Sequence, residues 1–360
     1  MTKIRFIVNG LGLGNSTRCH AIIQRLNSMD VETSVATSGN GLWYFKNKSE
    51  ITRLDELKAI HYGAKEGQIS IIKTFAAVPT ILGVLRDNMR LMMELLQVEK
   101  PDAVVIDSDY SFLPMRRLGI PIIALNNSDI VVQSKRRFAP MPDTVRGQYY
   151  AVERFDFLFH RVIPDLVISP SLESNFPSYH KKFKRVASVV REQYRPTDWR
   201  THPKKVVIML SGSMFGSPVV LKQDSYPFHI DIIGRDTPDG WHDCDGIKFH
   251  SRIRDNAALL TEADLTIVNG GFSAISEVFH MRKPIIVIPV PKHAEQWVNA
   301  KTIERIGVGM VSQESNLEPA MLAAFGRIDE LRNAYQQLGR NPDGAKQAAE
   351  KILKFLRNNR

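Results

Sequence analysis

The sequence has few cysteines and no long apolar run. Its 360 residues include two cysteines, Cys19 and Cys244, which are too few and too far apart for a structural zinc site or a disulfide framework. A reducing cytoplasm is therefore the expected location. No stretch of about 18 uncharged apolar residues occurs, so no transmembrane helix is predicted.

Acidic residues are fewer than basic ones. The chain has 48 Lys and Arg residues against 38 Asp and Glu residues, a formal net charge of +10. This surplus favours an anionic partner: nucleic acid, a membrane surface or a phosphorylated small molecule. Nucleic acid is not expected, because no helix-turn-helix, RNP or zinc-finger pattern occurs. Charged residues at 24% and hydrophobic residues at 43% are ordinary for globular proteins and exclude a disordered chain.

The length predicts roughly two domains, and the strand pattern divides the chain in the same way. Short β-branched runs alternate with helical segments, and their continuous apolar character is typical of parallel strands covered on both faces. The strands predicted for the first half are Lys3–Val8, Glu32–Ala36, Ala103–Ile106, Pro121–Leu125 and Leu166–Ser169. Those predicted for the second half are Lys205–Leu210, Phe228–Ile233, Ile247–Phe249, Leu265–Val268 and Pro284–Ile288.

A polar, proline-containing segment over 191–205 separates the two series and is interpreted as a linker. We therefore expect an α/β protein with two Rossmann-like, doubly wound domains, over residues 1–193 and 204–342, facing each other across a cleft. An amphipathic helix over 343–360 follows and is expected to pack back on the first domain. Ligands of such folds bind at the carboxyl ends of the strands.

A glycine-rich loop follows the first strand and precedes a helix predicted to begin near Thr17. Glycine lets a ligand approach the backbone closely, and the free N–H groups and dipole of a helix start favour an anion. Ser16 or Thr17 is the expected cap of this helix. A dinucleotide fingerprint is disfavoured, because its third glycine would fall at Asn15 and the second strand ends without an acidic residue. A turn without a ligand is the alternative. The three loop glycines are Gly10, Gly12 and Gly14.

A second loop of this kind follows the strand Leu265–Val268. Its backbone N–H groups and the Ser273 hydroxyl are suited to a phosphate, and Glu277 lies one helical turn further on, where a carboxylate can accept hydrogen bonds from ribose hydroxyls. A solvated helix carboxylate is the alternative for Glu277. The loop after the strand over 284–290 carries three polar residues placed to reach sugar hydroxyls, although its histidine also fits a plain surface position. The residues of the two loops are Asn269, Gly270, Gly271, Phe272 and Ser273, then His293, Glu295 and Gln296.

These motifs resemble the GT-B-fold glycosyltransferases, and in particular the family of the UDP-N-acetylglucosamine transferase of lipid II synthesis and its archaeal and bacterial relatives. The donor pattern G-G-x-S/T-x-x-x-E and the P-x-x-x-x-x-E/Q-Q-x-x-N-A loop match at Gly270, Gly271, Ser273, Glu277, Glu295, Gln296, Asn299 and Ala300. The first-domain pattern G-x-G-x-G-[H/N]-x-x-R matches at Gly10, Gly12, Gly14, Asn15 and Arg18. The resemblance also implies that Ser211, Gly212 and Ser213 face the donor phosphates and that the backbone of Ile253 contacts the base.

The resemblance implies transfer of a sugar from a nucleotide-sugar, with a UDP-sugar expected first, to a hydroxyl group of a glycan, glycolipid or metabolite. Inversion at the anomeric carbon is implied, and neither a cofactor nor a metal is expected. Two alternatives stay open: a nucleotide-sugar hydrolase of the same fold, and a non-catalytic nucleotide-sugar sensor.

An inverting transfer needs a base that takes the proton of the acceptor hydroxyl. Many relatives have a histidine at the position of Asn15, and an amide cannot replace it. Asp107 and Asp109 are the candidate bases, because they follow a strand at its carboxyl end and alternation puts both on one side. A pair of turn-forming aspartates is the alternative, and a metal-binding Asp-x-Asp is disfavoured because the nucleotide motif lies in the other domain. Arg18 is expected to contact an acceptor carboxylate or phosphate, or to be a surface cation.

The first domain also carries a mainly apolar stretch over 69–96 and basic residues at 116–117 and 135–137. A lipid-linked or anionic acceptor would favour peripheral contact with the inner face of a membrane through such a surface. A pair of core helices under a basic rim is the alternative.

Overall fold

The fold was analysed in a computed structural model. It describes residues 1–59, 64–65, 68–69, 78–173, 175–178, 180–210, 221, 226–238, 246–251, 253, 255–339 and 341–359. Two parallel sheets and the helices around them account for most of this part of the chain. None of the described helices combines the length and the apolar character that crossing a bilayer requires.

The first sheet has seven strands in the order β3-β2-β1-β6-β7-β8-β9, and all its neighbours are parallel. A two-stranded hairpin, β4 with β5, lies outside it. The strands are β1 (Thr2–Val8), β2 (Val31–Thr37), β3 (Arg53–Glu56), β4 (Ala64–Lys65), β5 (Gln68–Ile69), β6 (Ala103–Asp107), β7 (Ile122–Leu125), β8 (Leu166–Pro170) and β9 (Phe183–Val186). The helices are α1 (Leu13–Asn27), α2 (Gly39–Phe45), α3 (Val78–Glu99), α4 (Leu113–Leu118), α5 (Ser128–Arg137), α6 (Asp143–Gln148) and α7 (Arg154–Val162), with a π-helical turn (Tyr149–Glu153) joining the last two.

The second sheet has six parallel strands in the order β12-β11-β10-β13-β14-β15. In chain order within this sheet the arrangement is 3-2-1-4-5-6, which is the Rossmann order and has its crevice beside the first strand. The strands are β10 (Lys205–Met209), β11 (His229–Ile233), β12 (Ile247–His250), β13 (Leu265–Asn269), β14 (Ile285–Ile288) and β15 (Gly309–Val311). The helices are α8 (Ala257–Glu262), α9 (Phe272–His280), α10 (Ala294–Ile306), α11 (Leu317–Gly326) and α12 (Ile328–Gln337), with a 3-10 turn at Glu314–Asn316.

The last helix, α13 (Gly344–Asn358), packs against α1 of the first domain. Its apolar face enters the core around β1, where Ala345, Ala348, Ala349, Ile352 and Leu356 are buried. Gly344 lies so close to the carbonyl oxygens of residues 187 and 188 that a Cβ would overlap them. The segment 187–204 between the sheets contains neither helix nor strand.

The ten predicted strands are present with ends shifted by at most one residue, whereas β3, β4, β5, β9 and β15 were not predicted. Strands β4 and β5 have only two residues each. The other three lie at sheet edges, are three or four residues long and include polar or glycine positions, so they lack the apolar run that identifies a central strand. Helix α1 begins at Leu13, not near Thr17. Ser16 and Thr17 therefore lie inside the helix, and the Thr17 hydroxyl donates to the Gly14 carbonyl oxygen (3.1 Å) instead of capping it.

Candidate active site

The two glycine loops meet between the sheets. The first follows the carboxyl end of β1 and the second that of β13. The Ser273 hydroxyl at the start of α9 donates a hydrogen bond to the carbonyl oxygen of Gly14 in the first turn of α1 (2.9 Å). The first turns of α1 and α9 contain no acidic residue, and no described side chain caps either helix. Two helix starts with uncompensated N–H groups therefore converge, an arrangement that attracts a diphosphate.

Each of the three positions in the first loop has glycine for a different local reason. A Cβ on Gly10 would overlap the backbone carbonyl of Ser38, so this position is fixed by packing against the end of β2. A Cβ on Gly14 would lie 3.1 Å from the Ser273 hydroxyl, so this glycine permits the two domains to touch. A Cβ on Gly12 would meet no described atom within 4 Å, which leaves Gly12 as the loop glycine open to the cleft.

The second loop is held by three amide side chains, of which Gln296 was predicted to contact the sugar. The Gln296 side-chain oxygen accepts from the backbone N–H groups of Gly270 (3.1 Å) and Val290 (2.9 Å), and the Asn299 amide donates to the Gly270 carbonyl (2.9 Å). Asn269 likewise donates to the carbonyl of Ile288 (3.0 Å). These bonds tie β13, β14 and α10 into one rigid rim. The side chain of Phe272 is buried in the core below, so its backbone at the helix start is what it offers to a ligand.

Glu277 is not a solvated carboxylate. Its side chain is 7% exposed, and it forms an ion pair with Arg191 (3.0 Å). Burial raises the pKa of Glu277, and the neighbouring guanidinium opposes that rise. Arg191 also donates to the Tyr194 hydroxyl and lies over the ring of Tyr44. The sequence analysis interpreted Arg191 as part of a polar linker. Its pairing with Glu277 was not predicted, because the residues that contact Arg191 come from both domains.

Asp107 and Arg18 form a buried, two-point ion pair. The Arg18 Nε donates to Asp107 Oδ2 (2.6 Å), its Nη2 donates to Oδ1, and Cys19 Sγ lies 3.3 Å from Oδ2. Asp107 is fully buried and Arg18 nearly so. Arg18 is therefore not a surface cation, and the carboxylate that it binds is that of Asp107.

Asp109 has different surroundings from Asp107, which contradicts the expected alternation. Ser108 between them has a left-handed backbone (φ 55°), an uncommon conformation for a residue with a Cβ, and it breaks the strand's period of two. Asp109 is partly exposed, and its Oδ1 accepts from the Ser111 N–H (2.8 Å). Burial raises the pKa of Asp109 against this hydrogen bond. The Asn9 amide donates to the Ser108 carbonyl (3.1 Å) and so links this turn to the first glycine loop.

A further acidic group, Glu153, was not predicted. It sits on the π-helical turn, is buried, and accepts from the Gln148 amide (2.7 Å). Burial and the charge of Glu295, which lies on the other domain, raise the pKa of Glu153 to about 8. His293 precedes Glu295, and burial lowers the pKa of its imidazole. No sequence signal distinguishes Glu153, because the neighbouring helices also carry acidic residues, Asp143 and Asp156.

The remaining predicted site residues are less informative. Ser211, Gly212 and Ser213 lie outside the described residues. Ile253 is half-buried and packs on the core beneath β10 and β13, and Asn15 lies half-buried in the first turn of α1. The described residues contain no cluster of three or more His, Cys, Asp or Glu side chains that could hold a metal ion.

A family comparison covers almost all of this architecture. The sequence profile of a family described as Glycosyl transferase family 1 matches residues 2–328. The chain belongs to glycosyl transferase family 1. The match includes both glycine loops, the Arg18–Asp107 pair and the Glu277–Arg191 pair.

Curated relatives match this glycosyl transferase family 1 member over part of their length. An uncharacterized glycosyltransferase of Methanopyrus kandleri is 31% identical over 80 residues, 22% of this chain and 23% of the relative. The UDP-N-acetylglucosamine–N-acetylmuramyl-(pentapeptide) pyrophosphoryl-undecaprenol N-acetylglucosamine transferase is 40% identical in Caldicellulosiruptor saccharolyticus over 81 residues, 22% of each chain. Its Clostridium novyi counterpart is 27% identical over 168 residues, 42% of this chain and 46% of the relative. The aligned parts therefore span less than half of these relatives.

Solved structures match the family member over its whole length. MurG of Acinetobacter baumannii has a TM-score of 0.60 at 16% identity, covering 98% of this chain and 100% of MurG. The spinosyn forosaminyltransferase SpnP has a TM-score of 0.67 at 13% identity, covering 99% of each chain. The calicheamicin glycosyltransferase CalG4 has a TM-score of 0.62 at 17% identity, covering 99% of this chain and 98% of CalG4. At these identities the likeness concerns the fold, and it confirms the predicted GT-B arrangement of two Rossmann-like domains.

Proposed function

We propose that this protein transfers a sugar, with inversion, from a nucleotide-sugar to a hydroxyl group of an acceptor. The observation that carries the proposal is the convergence of the α1 and α9 helix starts, joined by the Ser273–Gly14 hydrogen bond, at the carboxyl ends of two parallel sheets. Such N–H groups stabilise the negative charge that develops on a diphosphate leaving group. The chemistry therefore needs neither a cofactor nor a metal.

The donor is proposed to lie along the second domain. Its diphosphate binds at the backbone N–H groups that begin α9, those of Gly271, Phe272 and Ser273, its ribose meets Glu277, and its sugar faces Glu295 and the amide of Gln296. A UDP-sugar is proposed first, because the curated relatives include enzymes named for UDP-N-acetylglucosamine. A solved relative, SsfS6, is described as complexed with thymidine diphosphate (TM-score 0.58, 15% identity, covering 98% of this chain and 100% of SsfS6), so a thymidine nucleotide is the second choice.

Asp109 is the proposed base. Its carboxylate takes the proton of the acceptor hydroxyl while that oxygen bonds to the anomeric carbon, and the bond from this carbon to the diphosphate oxygen breaks. A raised pKa brings a carboxylate closer to the operating pH and strengthens it as a base. Asp107 is assigned to structure, because Arg18 occupies both of its oxygens.

The acceptor is proposed to be lipid-linked, and α7 is the surface that supports membrane contact. Phe155, Leu158 and Val162, here called the apolar stripe, lie on the solvent side of α7 and are 51–67% exposed. The exposed Arg154 and Arg161 flank the apolar stripe. Apolar side chains beside cations suit the interface of an anionic membrane. In the stretch first proposed for this role, residues 70–77 lie outside the described residues, and part of α3 packs Met92 and Leu96 into the core.

The proposal is tested by incubating the protein with UDP-, dTDP-, GDP- and CMP-sugars, with and without lipid-linked and soluble acceptors. Nucleotide diphosphate release that depends on acceptor, with a glycosylated product, supports transfer. Release of free sugar without acceptor identifies the hydrolase alternative. Nucleotide-sugar binding without either product identifies the sensor alternative. Asp109→Asn should retain nucleotide binding and lose product formation.

A further inference from the structure

Helix α10 carries the two residues proposed to face the donor sugar, yet its start is completed by the other domain. His293 occupies the cap position, and it makes no side-chain capping bond to any described residue. The backbone N–H of Ala294 donates instead to the Gln148 side-chain oxygen (2.9 Å). The Gln148 amide in turn donates to Glu153 Oε1 (2.7 Å), so Glu153 holds the side chain that caps Ala294.

An apolar cluster seals this contact. Ala294 and the half-buried Trp297 of α10 pack against three buried residues from the first domain, and the ring of Phe138 meets that of Trp297 edge-on, with centroids 6.1 Å apart. Gln148 and Glu153 are thus held beside the helix by packing, and their hydrogen bonds are partly buried, where a hydrogen bond gains strength. The first-domain members of the cluster are Met141, Val145 and Tyr149.

A chain of contacts connects the start of α10 to the donor site. The Gln148 cap fixes the first turn of α10, which contains Glu295 and Gln296. Gln296 in turn holds the N–H groups of Gly270 and Val290. When the two domains separate, the N–H group of Ala294 loses its partner, and a helix start without a cap frays.

We propose that Gln148 and Glu153 are positioning residues: Gln148 caps α10 from the opposite domain and Glu153 holds the Gln148 side chain in place, so that closure of the domains aligns Glu295 and Gln296 on the donor sugar. This inference rests on the proposed function, since it concerns the sugar end of that donor site. It assigns the two residues no contact with the nucleotide. Nucleotide binding should therefore persist when they are changed, whereas sugar alignment should not.

The test compares Gln148→Ala, Glu153→Ala and Glu153→Gln with a control, Gln133→Ala, which removes a glutamine of the same domain whose amide donates to the Pro177 carbonyl (3.5 Å). Gln148→Ala removes the cap and Glu153→Ala removes the acceptor that holds it, and these two are called the cap-removing variants. Hydrogen exchange at the amides of residues 294–296 is expected to accelerate about tenfold in both. Glu153→Gln keeps an acceptor oxygen and is expected to exchange like the wild type, as is Gln133→Ala. Thermal unfolding shows that each variant is folded.

Binding and turnover complete the test. In the cap-removing variants the Kd for free UDP should stay unchanged, while kcat for transfer from the UDP-sugar falls about tenfold or more. Glu153→Gln should rescue kcat. Unchanged exchange in Gln148→Ala and Glu153→Ala, or fast exchange with full kcat, overturns the inference. A wild type that binds no nucleotide would instead overturn the proposed function, and the exchange comparison would still decide whether the opposite domain caps α10.

Discussion

The Arg18 guanidinium on α1 binds both carboxylate oxygens of Asp107 at the end of β6. The pair is buried, so removing one partner leaves a charge without compensation, which costs about 3–5 kcal/mol. We expect Asp107→Asn to lower the free energy of unfolding by about 3 kcal/mol, measured by urea denaturation. Its loss of activity should follow its loss of folded protein.

Asp109→Asn is the matched variant two residues further on. Because burial disfavours the charged form of Asp109, we expect its free energy of unfolding to stay within about 1 kcal/mol of the wild type, while kcat falls about a hundredfold or more. A stable Asp109→Asn protein with wild-type kcat would show that Asp109 is not the base. An Asp107→Asn protein as stable as the wild type would contradict the structural role of Asp107.

One added methyl group should lower the stability of the protein at Gly10 but not at Gly12. A Cβ on Gly10 overlaps the Ser38 carbonyl, whereas a Cβ on Gly12 meets no described atom within 4 Å. We expect Gly10→Ala to lose about 1–3 kcal/mol of stability and Gly12→Ala to lose almost none. If the cleft side of this loop receives ligand, Gly12→Ala should still weaken donor or acceptor binding. Differential scanning calorimetry and calorimetric titration measure the two effects, and equal destabilisation by both variants would contradict the distinction.

Sequence reasoning predicted the parts that depend on local patterns. The central strands have continuous apolar runs, and the two glycine loops follow them directly, so β1, β6, β10 and β13 could be placed without a structure. The edge strand Phe183–Val186 has Lys184 and Arg185 in its centre, so neither alternation nor an apolar run identified it. The central strands alone were enough to predict the fold class.

The pairings of the charged residues could not be predicted in this way. Arg18 and Asp107 are 89 positions apart, and Arg191 and Glu277 are 86 apart, so only the packed sheets bring them together. Ser108 illustrates a second limit, because its left-handed backbone separates two aspartates that alternation places on one side. Glu153 illustrates a third limit, because the charge of Glu295, which raises the pKa of Glu153, belongs to the other domain.

Glu277 should combine a structural and a ligand-binding role, which a double substitution can separate. Glu277→Met alone leaves the buried Arg191 unpaired and should cost about 3 kcal/mol of unfolding free energy. Replacing both residues by Met removes both charges and should restore much of that stability. Nucleotide affinity should fall about tenfold in both proteins, because a hydrogen-bonding carboxylate is lost. A double variant that binds UDP like the wild type would contradict the ribose contact.

The apolar stripe predicts a membrane contact that a matched pair of leucines can test. Leu158 lies in the apolar stripe and Leu322 lies on α11 of the other domain, and they are 51% and 50% exposed. We expect Leu158→Glu to reduce binding to vesicles of anionic lipid about tenfold and Leu322→Glu to leave it unchanged. Vesicle co-sedimentation at two salt concentrations separates the apolar contribution to membrane binding from the contribution of charge. Equal binding by the two variants would exclude α7 as the membrane surface.

The Glu153 carboxyl gives the fold a defined pH dependence. Its pKa rises from about 4.5 to about 8, through burial and the charge of Glu295, with a smaller contribution from Asp156, while the Gln148 amide and the Glu295 N–H oppose the rise. The native protein therefore keeps a proton that the unfolded chain loses between these values. The associated stability is complete below pH 4.5 and is lost as the pH rises through 8.

Glu153→Gln should flatten this dependence, because glutamine does not titrate and retains the acceptor oxygen. Urea unfolding in steps of about one pH unit between about pH 5 and pH 9 should show a wild-type stability that declines toward pH 8. The variant should become the more stable of the two at pH 9. Glu304→Gln is the control, since Glu304 lies on the same helix as Glu295 but is exposed and paired with Lys301. Parallel pH profiles for the wild type and Glu153→Gln would show that Glu153 is ionised in the native protein at neutral pH and that the contact between the domains holds a pair of charges.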